Sequence, residues 1–190
     1  MSDELLDIVN DDDVVIAQEM RSIVHSRGLQ HRGVHVFLVT PQGKLLVQRR
    51  GRQQAAFPLA LDCSVSEHVK AGENYRQAAK RGMEEELGIN AIQVHAMVKF
   101  KMTYGPNDFE ICVLYEGSVD PAQVRFNPLE VQGIAYYELE ELEALIHNGG
   151  IPFSSWFEQL LNWYQRKLSE MKILKSYKHD RLMLLMRNKR

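Results

Sequence analysis

The residues between 72 and 88 carry the densest chemistry in this chain. The segment GENYRQAAKRGMEEELG holds Glu73, Arg81, Glu84, Glu85 and Glu86. Read as a helix, it sets Glu85 and Glu86 toward the same side as position 82, because steps of three and four return to one face. That side differs from the apolar stripe Tyr75, Ala78, Ala79, Met83 and Leu87. Packed carboxylates repel unless a cation or a substrate charge compensates them. Hard oxygen donors at short range suit Mg²⁺ or Mn²⁺. Arg81, four residues before Glu85, can pair with it, and Glu73 can fold back to the same place. The competing reading is a solvated charged face.

Other groups could complete such a site. Asp108 and Glu110 stand two apart on an expected strand and so face one way, with Phe109 and Ile111 facing the other. Arg49, Arg50 and Arg52 lie at and just past the end of another strand. Guanidinium groups grip phosphate oxygens in pairs. Arg50 is the expected phosphate ligand, with Arg52 beside it, and Arg49 points to the opposite face. Cys63 and Cys112 read as core residues. Trp156, Trp163 and Tyr164 read as packing.

These groups need elements to hold them. Residues 12–26 read as a short helix. Val34–Val39 and Lys44–Arg50 form a hairpin across TPQG. Residues 51–58 are a loop, and Leu59–Val65 a short strand. The helix 74–88 has Asn74 as its N-cap and Gly88 as its terminator. Strands follow at about 92–102 and 108–116, then 131–137, with a helix at 138–147. Residues 154–187 read as one or two helices, with Leu160, Leu161, Tyr164, Leu168, Met171 and Leu174 at helical spacing. Strands and helices alternate without tandem parallel units, which predicts an α/β fold with helices packed on a mixed sheet.

The chain has 190 residues, of which 45% are apolar and 25% charged. This fits one globular domain over 1–150 with a helical extension over 151–190. No stretch is long and apolar enough to span a bilayer. The acidic opening MSDELLDIVNDDD lacks the basic and apolar regions of a leader. Two cysteines are too few for a disulfide scaffold, so a cytoplasmic setting is expected. The net charge of −2 hides seven acids in residues 1–20 and nine bases in residues 164–190. The basic end reads as a solvated face or a partner of the acidic end, not as a nucleic-acid surface. The cluster Leu182–Met186 suggests a dimer contact or, more remotely, a membrane-surface anchor.

The segment EHVKAGENYRQAAKRGMEEELGI resembles the Nudix box, in which G, five residues, E, seven residues, REU, x, EE, x, G, U recur (U apolar). Glu73, Arg81, Met83, Glu85, Glu86, Gly88 and Ile89 match, seven of nine fixed positions. The resemblance runs over roughly residues 5–150 and is nearest to the subgroup of isopentenyl-diphosphate isomerases and related hydrolases. It implies an α/β/α sandwich around a mixed sheet. It further implies Mg²⁺-assisted (or Mn²⁺-assisted) attack of water on a small diphosphate compound, such as a nucleoside diphosphate derivative. Glu85 and Glu86 would then ligate the metal, with Glu73 assisting. Glu130, in PLEV, corresponds to a glutamate that orients the attacking water, a task that needs only hydrogen-bond reach. Asp108 and Glu110 are the alternatives.

His68 occupies the place of a metal-binding histidine of the isomerases, and His25 and His31 resemble two more. Three imidazoles and two carboxylates could hold a divalent ion. The isomerase thiol, however, aligns with Ser66. Two positions depart from the box. Its leading Gly is Glu67, and the Glu of its REU triplet is Gly82. A diphosphate hydrolase is therefore the expected activity, with an isomerase-like enzyme and a catalytically weakened binding module as alternatives. A homodimer through the C-terminal helix is the expected assembly.

Overall fold

The computed structural model describes residues 3–177. It begins with a hairpin, β1 (Leu5–Val9) and β2 (Val15–Met20), followed by a short helix α1 (Arg21–Arg27). The expected helix over 12–26 is thus only half present. Val14, Val15 and Ile16 are β-branched in succession, which favours a strand. The turn before them is built by Asn10, whose Oδ1 accepts from the backbone N–H of Asp12 and of Val14, both at 3.0 Å.

The main sheet has eight strands. Along it run β10 (Lys172–Ser176), β7 (Val94–Gly105), β8 (Asp108–Ser118), β3 (His31–Val39), β4 (Leu45–Arg50) and β5 (Leu61–Asp62). β6 (Val65–His68) also pairs with β3, and β9 (Val131–Tyr137) with β4. β3 and β8 run parallel, with His31 opposite Glu110, while the other pairs are antiparallel. The sheet is mixed, as the alternation of elements predicts.

Period-2 alternation assigns the two faces. Val34, Val36 and Leu38 of β3 join one buried cluster, and Phe37 and Val39 the other. α2 (Tyr75–Leu87) covers the first face with Ala78, Ala79, Met83 and Leu87. α3 (Leu139–Asn148) and α4 (Ser155–Tyr164) cover the second with Leu139, Leu142, Trp156, Phe157, Leu160 and Leu161. The result is an α/β/α sandwich. Asn74 caps α2 by accepting from the N–H of Arg76 and Gln77, and Gly88 ends it at φ 67°.

The C-terminal reading needs correction. Helix α4 stops at Tyr164, and Arg166 turns the chain at φ 63°. Leu168 is 97% exposed, so the apolar stripe expected beyond α4 does not form. Lys172–Ser176 instead pairs with β7, whose open edge offers ladder partners. The buried face of α4 packs on its own domain. The cluster Leu182–Met186 and the rest of 178–190 lie outside the described residues. Among the described residues the acidic opening pairs with bases of β3 and β7, and the charge of Lys172, from the basic end, also acts on Asp11. Asp13 pairs with Arg32 at 2.6 Å and also with Lys99, and Asp11 pairs with Lys101 at 2.6 Å.

Candidate functional site

A cleft of about 400 Å³ opens where β3 and β8 begin and β4 and β7 finish. Sheet register accounts for this convergence. His31 and Gly33 on β3 stand opposite Glu110 and Cys112 on β8, while Gly33 also faces His68 on β6. Gly33 is required there, because a Cβ would lie 1.9 Å from Glu110 Oε2.

One wall is carboxylate. Glu86, on the inner side of α2, is buried, and its Oε2 accepts from Gln48 Nε2 at 2.7 Å. Burial pushes its pKa well up, and the charges of Glu67, Asp62 and Glu130 push the same way. Glu85 is more exposed and shares one donor with Glu67. Arg81 Nη1 reaches Glu67 at 3.0 Å and Glu85 at 3.1 Å. The rest of that guanidinium binds Glu73 through Nε at 2.9 Å and Nη2 at 3.1 Å, and donates to the His68 carbonyl at 2.8 Å. Glu130, in the turn before β9, also lines the cleft. Burial raises its pKa, helped by Glu67 and Glu85.

The opposite wall is imidazole. The rings of His25, His31 and His68 lie 5.0–5.2 Å apart, centroid to centroid. His31 Nε2 is 3.5 Å from Glu110 Oε1 and 3.9 Å from Asp108 Oδ1. These separations are too long for good hydrogen bonds but fit donors arranged around an ion. His25 Nε2, His31 Nε2 and Asp108 Oδ1 are buried with no hydrogen-bond partner. Burial with two neighbouring imidazoles lowers the His25 pKa to about 4. Asp108 is raised to about 6 by burial and by Glu110. Glu110 goes the other way: burial opposes its charge, but His31 and the other histidines hold it well below the usual range. Neutral imidazoles beside a carboxylate are the states that bind metal. The donor set therefore fits a divalent ion.

The floor is a polar network around Asp62, which is fully buried. It accepts from Trp156 Nε1 at 2.6 Å, Ser154 Oγ at 2.9 Å and Ser66 Oγ at 3.2 Å, and pairs with Arg50 at 2.6 Å. His35 is hydrogen-bonded to Ser66 at 3.0 Å and to Tyr104 at 3.1 Å. Arg50 also lies over the Trp156 ring, 5.2 Å from its centroid.

The structure brings Glu85, Glu86, His68, Asp108, Glu110, Glu130 and Arg50 into this one cleft. Three expected members fall outside its lining: Glu73, Arg52 and the fully buried His31. Glu73 is held at the start of α2, where its Oε2 accepts from Lys70 N at 3.0 Å and both its oxygens bind Arg81. Arg52 is exposed, because strand pairing ends at Arg50 and the chain turns away. Among the described residues, donor atoms come within 4.8 Å of one another in three groups, all built around the histidines, Asp108, Glu110 and Cys112. The box glutamates are held differently: Glu73 and Glu85 bind Arg81, and Glu86 binds Gln48. Sequence reasoning missed Glu4, Gln48, Asp62 and Tyr104. Glu4 reaches His68 Nδ1 at 3.5 Å from β1's doorstep, and no local spacing marks it.

The model of the NUDIX domain matches residues 29–157. The chain belongs to the Nudix family. A Nudix hydrolase of Deinococcus radiodurans is 36% identical over 151 residues, covering 78% of this chain and 87% of that one. The crystal structure of DR0079 from the same organism superposes with a TM-score of 0.72 at 31% identity, covering 84% of this chain and 98% of that one. The isopentenyl-diphosphate delta-isomerase of Schizosaccharomyces pombe is 23% identical over 195 residues, covering 88% of this chain and 84% of that protein. Several other curated Nudix relatives are matched over about half of their own length. In this Nudix chain the helix over residues 75–87 carries Arg81, Glu85 and Glu86 of the box, and it borders the cleft. Among the described residues no helix is long and apolar enough to cross a membrane.

Proposed function

We propose that this Nudix chain is a divalent-metal-dependent hydrolase of a small diphosphate compound, a nucleoside diphosphate derivative being the leading class. The observation that carries the reading is the cleft wall of Glu67, Glu85, Glu86 and Glu130, with Arg50 and Lys70 also lining the cleft. A buried carboxylate such as Glu86, flanked by other acids, is costly alone and becomes favourable against a cation.

A bound Mg²⁺ or Mn²⁺ would neutralise diphosphate oxygens and make a water acidic enough to attack. Glu85 and Glu86 are the residues to hold it. Glu73 acts through Arg81, which it anchors with two hydrogen bonds. Glu130 is the base that orients the water: it lines the cleft, and burial with the charges of Glu67 and Glu85 raises its pKa and so its basicity. Arg50, pinned by Asp62 and stacked on Trp156, has in-plane N–H groups left to donate to phosphate oxygens. Asp108 and Glu110 are the alternative base and belong to the imidazole wall, where His68 stands.

That wall supports a second reading. Three imidazoles with two carboxylates, at the positions that resemble the isomerase set, favour an isopentenyl-diphosphate isomerase-like enzyme. Against it stands Ser66, with a hydroxyl where the thiol is expected. Cys63 and Cys112 are both fully buried, and burial pushes both thiols far up.

A panel of nucleoside diphosphates, dinucleotide polyphosphates and sugar nucleotides, incubated with Mg²⁺ and Mn²⁺, tests the first reading. Turnover at least 10²-fold above Glu86→Gln is expected, on the scale of losing a transition-state charge partner. Proton exchange on isopentenyl diphosphate with no phosphate release would favour the second.

A further inference from the structure

The two departures from the box lie against each other in space. A Cβ built on Gly82 would sit 2.7 Å from Glu67 Cγ and 2.6 Å from Val65 Cγ1. Real Cβ atoms do not approach that closely, so the stem of Glu67 fills the room that a side chain at 82 would need. The family pattern has Gly at the first position and Glu at the second. This chain has the reverse, with glutamate on β6 and glycine on the facing turn of α2.

We infer that Glu67 supplies, from the strand, the carboxylate that Gly82 no longer supplies from the helix. The two positions form one exchanged pair rather than two losses. This rests on the reading of the cleft as a metal-dependent diphosphate site, and it assigns Glu67 to the same ion as Glu85 and Glu86.

Three observations agree. Glu67 lines the cleft, whereas Glu73 does not. Its carboxylate meets Glu85 on a single Arg81 nitrogen, at 3.0 Å and 3.1 Å. Its stem packs on α2 at Gly82, one helical turn before Glu86. A glycine in the interior of α2 costs about 1 kcal/mol relative to alanine, and the close approach of β6 explains why it is there.

Calorimetric titration of the full chain with MgCl₂ tests the assignment. Mg²⁺ demands oxygen ligands and reads the carboxylate wall in preference to the imidazole wall. Three proteins are compared: wild type, Glu67→Gln and Glu73→Gln. Each glutamine is isosteric, and each removes one charged partner from Arg81, so the pair separates a ligand from an anchor. Thermal melts confirm that all are folded. Glu67→Gln is expected to weaken Mg²⁺ binding at least tenfold, and clearly more than Glu73→Gln, which reaches the ion only through Arg81. Equal affinities for wild type and Glu67→Gln overturn the inference while leaving the metal-dependent reading intact. So does an equal loss in both variants, which would make Glu67 only an anchor for Arg81. A wild-type chain that takes up no Mg²⁺ overturns both.

Discussion

At the scale of single residues, Gly82 separates a lost function from a moved one. Restoring the family's glutamate would gain roughly 0.5 kcal/mol of helix propensity. It would also force a side chain into space held by Val65 and Glu67, and overpacking of that kind costs about 1–3 kcal/mol. The cost wins. Gly82→Glu is expected to lower the melting temperature and to give no gain in turnover, measured by calorimetry and by the hydrolysis assay on one preparation. A stable variant with faster turnover would mark the site as decayed instead.

The imidazole wall makes a prediction of its own. Asp108 has its pKa raised from 3.8 to about 6. In the metal-free chain its proton therefore favours folding below 3.8, and that contribution is lost as pH rises through about 6. A cation needs the deprotonated form. Affinity for Zn²⁺ or Mn²⁺ at His25, His31 and His68 should rise by about tenfold per pH unit for each proton displaced, from Asp108 up to about 6 and beyond that from His31, whose pKa Glu110 raises against burial. Titration at pH 5, 6 and 7 checks this, and a flat profile would remove Asp108 from the ligand set.

At the scale of elements, the site depends on one buried hinge between sheet and helix. Asp62, at the end of β5, ties Arg50 of β4 to Ser154 and Trp156 at the start of α4. Removing it strands Arg50 and the Trp156 N–H without their acceptor. Asp62→Ala is expected to cost about 3–5 kcal/mol in denaturant unfolding and to loosen Arg50 in the cleft. A loss under 1 kcal/mol would show the network to be dispensable.

The same scale explains what could be read from the sequence. α2 was legible because period, N-cap and terminator agree, and β9 because its apolar run is bounded by turn residues. The helix expected over 12–26 failed at Val14–Ile16, where β-branched residues and an Asn10 turn outweigh a weak apolar period. The stripe beyond Tyr164 failed because β10 finds an open sheet edge. Glu85, Glu86, Asp108 and Glu110 were legible from spacing within one element. Glu67, Asp62 and Glu4 were not, because their roles come from contacts between elements distant in sequence.

At the scale of the whole molecule, the sandwich delivers two unlike walls to one cleft: acids from α2, β6 and the turn before β9, and imidazoles from α1, β3 and β6. The parallel pairing of β3 with β8 sets His31 against Glu110, and the close packing of β6 on α2 sets Glu67 beside the box glutamates. The account stands on water attacking a diphosphate in that cleft. Turnover in ¹⁸O-enriched water, followed by the isotope shift in ³¹P NMR of the phosphate product, tests it most directly. The account predicts one labelled oxygen per cleavage with Mg²⁺ present, at a rate at least 10²-fold lower in Glu86→Gln. Unlabelled products, or equal rates in the two proteins, would contradict it.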